Sequence, residues 1–155
     1  IEKDWGKNFP KNWIWAQSNH FEVPGLSLSA SLATIPWRKS EFSGFIVGVQ
    51  VNDILYRFTP YKGSKINLVK YDERKITWHL QQGNINLQIK IYRGSKTGML
   101  FAPDKFNMEK KVAEYLDARI QFKLKKGKET IAEGDSSHCA LEIIGDTKSL
   151  IENFK

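Results

Sequence analysis

Apolar and polar positions alternate with period two along most of this chain. In residues 12–21, Trp13, Trp15, Gln17, Asn19 and Phe21 fall on one side of a strand, and Asn12, Ile14, Ala16, Ser18 and His20 on the other. After the Pro24-Gly25 turn, Leu26, Leu28, Ala30 and Leu32 alternate with Ser27, Ser29, Ser31 and Ala33 as far as Pro36, which predicts a long half-buried strand. Strands are also predicted over 42–51, 54–59, 65–71, 75–80 and 85–92, with turn residues at Asn52-Asp53, Asp72-Glu73 and Gln82-Gly83-Asn84. Gly44 and Gly48 share a face with Phe42 and Ile46, a spacing that lets a sheet coil. The rhythm breaks at residues 94–108, which read as a long loop. A short helix is predicted over 107–116, with Val112 and Leu116 on one face. Strands resume at 118–125, 129–132 and 138–144, and Asp146 is placed to cap a final helix through Leu150, Ile151 and Phe154.

Nine or ten strands with turns between them predict an all-β chain, an antiparallel lipocalin-like β-barrel with a short C-terminal helix and room for one small ligand. Within it, the first strand is unusual. Two indoles and two amides on one face suit a ligand-lined interior, because an unpaired buried amide costs about 1–3 kcal/mol. The same face would also suit hydrogen-bonded amides among packed tryptophans. The smaller, more polar face from Asn12 to His20 is expected to look toward water.

At 155 residues with 41% hydrophobic content, the chain is long enough for one domain spanning 1–155 with a real core. Cys139 is its single cysteine, so neither an intrachain disulfide nor a cysteine-based zinc cluster can be built. It is expected to be a small buried hydrophobe. No apolar run of about 18 residues and no basic-then-apolar opening is present, so neither a membrane span nor a signal peptide is expected, and the location is cytoplasmic or peripheral to a membrane. The first residue is Ile1, as in a processed precursor or a fragment of a longer chain. The charge of +7 attracts anionic surfaces. Its densest cluster, Lys123, Lys125, Lys126 and Lys128, surrounds Gly127 at a hairpin tip and reads as a solvated edge. No nucleic-acid motif accompanies the charge, so a nucleic-acid partner is not expected.

Glu2-Lys3-Asp4-Trp5-Gly6, Phe9-Pro10, Trp13 to Phe21, Ile35-Pro36-Trp37, Gly44 to Gly48, Tyr56-Arg57-Phe58, Tyr61 to Ser64 and Ala140 to Gly145 are stretches in which this sequence resembles the tocopherol cyclase family. In that family these motifs lie in the C-terminal half of a longer protein, so a missing N-terminal half is an expected partner. The resemblance implies a lipocalin-like double barrel and an intramolecular lyase, an isomerase of prenylquinols. Such an enzyme protonates a prenyl double bond on a hydroquinone, and the phenolic oxygen closes on the cation to form a chromanol. No metal or redox cofactor is implied.

That reaction needs a carboxylic acid still protonated near neutrality, which burial favours. Glu142, in the family's Glu-x-x-Gly pattern, and Asp4 are the candidate acids, with His138 four residues from Glu142 as an orienting partner. Trp13, Trp15, Tyr56 and Phe58 would offer aromatic faces to the cation, and Gln17, Asn19 and Phe21 complete the binding set, the two amides holding the hydroquinone oxygens. Bland roles stand beside these: an outward Glu142 paired with a lysine, and Asp4 capping a turn or pairing with Lys3. His20 is expected at the surface. A non-catalytic carrier of an apolar ligand and a packed half-domain are the other readings of the same chain.

Overall fold

The computed structural model describes residues 9–72, 74–104 and 107–154. Ten strands and one helix are formed among them: β1 (Trp13–Ser18), β2 (Leu26–Trp37), β3 (Ser40–Val51), β4 (Ile54–Phe58), β5 (Lys65–Asp72), β6 (Lys75–Gln82), β7 (Ile85–Tyr92), β8 (Thr97–Asp104), β9 (Asn107–Lys126), β10 (Glu129–Ile144) and α1 (Thr147–Glu152). They make one sheet in the order β4-β3-β2-β1-β10-β9-β7-β6-β5, and every pairing is antiparallel. The long β9 serves two neighbours, β7 along 119–126 and β8 along 107–115.

β4 and β5 are the two ends of this path, yet only residues 59–64 separate them in the chain. So short a link forces the sheet to roll until its ends are close. The link is tied by the Thr59 amide donating to Ser64 Oγ at 3.0 Å and the Ser64 amide donating to the Thr59 carbonyl at 3.1 Å. Among the described residues no ladder joins β4 to β5, so the fold is a rolled, all-antiparallel sheet with an open seam. The closed barrel expected from strand count is not formed there.

The inside of the roll is solid. Leu28 and Leu32 from β2, Val47 from β3, Phe58 from β4, Trp78 from β6 and Ile89 from β7 belong to one cluster, each at most 1% exposed. Each large side chain so buried stabilises the fold by about 1.5–3 kcal/mol. The expected interior cavity is therefore filled with protein. α1 closes one end as predicted: Asp146 Oδ1 accepts from the Ser149 amide at 3.1 Å, Leu150 is fully buried, and Phe154 packs edge-on against Phe45.

Four predicted elements differ. The loop expected at 94–108 contains β8, and the helix expected at 107–116 is the first half of β9. Val112 and Leu116, four apart, satisfy helical and strand periods equally, and the observed pair is split between a buried Val112 and a Leu116 that is 62% exposed. The strands expected at 129–132 and 138–144 are one strand, β10. Register shifts between Thr130 and Ala132, and again between Ser136 and Leu141, interrupt its alternation and hide its continuity.

Candidate functional site

The two faces of β1 are reversed from expectation. Ile14 and Ala16 are fully buried in the roll and Ser18 is nearly so, its hydroxyl donating to the His138 carbonyl at 2.7 Å. At the β1 positions the interior is already occupied by packed neighbours, so the small and aliphatic side chains of this strand turn inward. Trp13, Trp15, Gln17 and Asn19 lie on the outside. There a second, smaller apolar cluster forms, because the β8–β9 hairpin folds over the sheet: Ala102 and Val112 pack with Trp13 and Ala33, flanked by Trp15, Ile35 and Ile144.

Glu142 is on this same outer face, beneath the hairpin. Register places it opposite Trp15 of β1 on one side and Glu114 of β9 on the other. The Trp13 indole N–H donates to Glu142 Oε2 at 2.6 Å, a short hydrogen bond. Burial pushes the Glu142 carboxyl above its ordinary value, the Trp13 hydrogen bond opposes that, and the facing Glu114 adds a further upward push. Directly opposed strand residues have Cβ atoms about 5 Å apart, close enough for the Glu114 charge to act on Glu142. The arrangement is a half-buried carboxyl that holds its proton more tightly than a free glutamate does, bonded to one indole and bordered by another. The lysine partner allowed for Glu142 at the outset is replaced by this tryptophan.

Gly145 explains the Glu-x-x-Gly spacing. Its φ is +75°, and an added Cβ would stand 2.3 Å from both the Lys11 carbonyl oxygen and Asn12 Oδ1. That close approach lets Asn12 Oδ1 accept from the Asp146 amide at 2.8 Å, which clamps the end of β10 to the start of β1 and sets Trp13 beside Glu142. Gly145→Ala is expected to lose about 2–4 kcal/mol in urea unfolding, from left-handed strain together with a backbone clash. A loss below about 0.5 kcal/mol would show that the clamp is not needed.

Further along β1, Gln17 and Asn19 border an open groove of about 500 Å³ with Ser29, Gly48, Gln50 and Leu55. Gly48 supplies its low floor, since a Cβ there would meet only Leu55 Cδ1 at 3.5 Å. The rest of the predicted set separates from this face. Phe58 is fully buried in the roll and Tyr56 packs against the same core, so neither faces Trp13 or Trp15. Phe21 stacks edge-on against Phe122, its ring centroid 5.1 Å away. His138 is exposed beside His20, at 6.1 Å between rings, and its Nδ1 contacts Ser137 Oγ. Four strand residues, about 13 Å, carry it away from Glu142. Asp4 lies outside the described residues. Cys139 is fully buried as expected, and burial pushes its thiol up to about 12.

Sequence reasoning missed Glu114 and the covering hairpin, because residues 107–116 read as a helix. Strand parity would have found Glu114, since it shares alternation with Val112. Among the described residues, no group of three or more His, Cys, Asp or Glu is placed to hold a metal ion.

A family model described as tocopherol cyclase-like matches residues 1–145. A curated relative, a probable chloroplastic tocopherol cyclase of Oryza sativa subsp. japonica, is 30% identical over 67 residues. The match takes in 41% of this chain and 14% of that protein. No solved structure matches.

Proposed function

The chain belongs to the tocopherol cyclase-like family, and from that premise we propose that its outer β1–β10 face is an acid site for closing a prenylated hydroquinone to a chromanol. The Trp13–Glu142 hydrogen bond carries the reading, because it fixes a half-buried carboxyl on the same face as two indoles. In the proposed step, the Glu142 carboxyl gives its proton to the prenyl double bond nearest the ring. The phenolic oxygen then bonds to the tertiary cation, and the phenol proton returns to Glu142, so the product is an isomer of the substrate. The Trp13 N–H stabilises the transient carboxylate, and the Trp15 face stabilises the cation by about 0.5–2 kcal/mol. Gln17, about 7 Å along the strand from Trp15, suits the far hydroquinone oxygen, and the tail follows the Gly48–Leu55 groove. No cofactor takes part in these steps.

Incubation with a prenylated hydroquinone, followed by chromatography for the chromanol, tests this proposal. Chromanol formation above the no-protein control is the expected result, and binding without conversion would overturn the catalytic role. The groove itself favours a second reading, a module that only carries an apolar ligand. That reading predicts saturable, tail-dependent quenching of tryptophan fluorescence with no product.

A further inference from the structure

Two hairpins overhang the same end of the sheet. Trp13, the first residue of β1, pairs with Ala33 and with Ile144, but β2 and β3 continue together past that level to the turn at Arg38 and Lys39. On the other side Glu142 pairs with Glu114, and β9 continues past that level to Asn107, with β8 alongside. The packing of Ala102 and Val112 on Trp13 and Ala33 draws the two overhangs into one rim.

That rim exposes large apolar side chains. Trp37 is 58% exposed, Phe42 49%, Phe101 60% and Met108 60%, far more than a turn needs for its own folding. Trp37 and Phe42 stack edge-on at 6.4 Å, and Lys110 Nζ lies 5.8 Å from the centre of the Phe101 ring. Cations interleave with these rings: Arg38 and Lys39 occupy one tip and Lys110 the other hairpin. Of the acids on these two hairpins, Glu41 is paired with Lys11 at 3.2 Å, and Asp104 and Glu109 lie on the second hairpin with Lys110.

We propose that this rim is a membrane-contact surface that seats Trp37, Phe42 and Phe101 in the headgroup region of an anionic bilayer. Tryptophan and basic side chains share that chemistry, an apolar body with a polar or charged end that stays at the interface. Each basic residue near an anionic leaflet adds attraction, and the chain's +7 charge acts in the same direction. A second copy of the chain fits the rim less well, because it would set Arg38, Lys39 and Lys110 of one copy against the same cations of the other. The inference stands independently of the acid chemistry at Glu142.

Flotation with vesicles of phosphatidylcholine alone, and of phosphatidylcholine with phosphatidylglycerol, tests it. The wild-type chain is expected to float with the anionic vesicles, and brominated acyl chains are expected to quench Trp37, a signal lost in Trp37→Phe. The double variant Trp37→Ala/Phe101→Ala should lower the partition coefficient by about tenfold or more, since two rings leave the interface. Its melting temperature should hold, because both side chains are mostly exposed in the free protein. Arg38→Glu/Lys39→Glu should remove the preference for anionic lipid. Failure of the wild type to float, or unchanged partition of the aromatic double variant, would overturn the proposal. So would a lipid-free dimer abolished by the same variant, which would assign the rim to a second copy.

Discussion

Phe58→Ala is expected to destabilise the protein by about 3–5 kcal/mol, the range for a buried phenylalanine truncated to alanine. The side chain is fully buried and ends β4 at the open seam, where Thr59 and Ser64 fasten the link to β5. Losing it leaves a void where the rolled sheet has no ladder to hold it together. Trp15→Ala, on the outer face and only half-buried, should cost less than half as much. Urea unfolding of both variants checks the contrast. If Phe58→Ala cost under about 1 kcal/mol, the inside of the roll would be loosely packed, and the interior ligand site would return as the better account.

Glu142→Gln is expected to lower cyclisation by about 100- to 10,000-fold, the usual worth of a positioned general acid. Ligand affinity should stay within a few-fold, because the amide oxygen still accepts from Trp13. The same variant makes a stability prediction whose sign follows from linkage. Burial raises the folded-state value of Glu142 above its unfolded one, so its favourable contribution is present at low pH and fades as pH rises through the folded value. Wild type should therefore lose stability relative to Glu142→Gln across that rise. Equal turnover in the two proteins would remove Glu142 from the chemistry. Glu114→Gln probes the partner: with the facing charge gone, the upper limb of the pH–rate profile should move to lower pH. A structural role for Glu114 would leave the profile in place.

Much of the fold was legible because period two survives wherever a strand has one buried face. Leu26, Leu28, Ala30 and Leu32 of β2 and the capped α1 are examples. β10 was less legible, since its bulges near Cys139 shift the alternation midway. The direction of β1 could not be read from pattern alone. Two indoles look like an interior face until a covering hairpin is known, and Trp13 is indeed buried, but from outside. For the site, the structure brings Glu142, Trp13 and Trp15 together by strand register. Tyr56 and Phe58 were drawn in for their aromatic character, which says nothing about which face a strand presents. Glu114 depends on a cross-strand pairing between residues 28 apart, β10 against β9, that no local pattern encodes.

The most direct test of the acid site is a pH titration of the Trp13 indole 15N–1H resonance, assigned with Trp13→Phe. The indole donates to Glu142, so its shift should report the ionisation of that carboxyl. The expected midpoint lies above the value of about 4.3 for a free glutamate, moves down in Glu114→Gln, and vanishes in Glu142→Gln. A midpoint at or below the free value, or no titration at all, would contradict the account: Glu142 would then be an ordinary ionised carboxylate with no proton to give near neutrality.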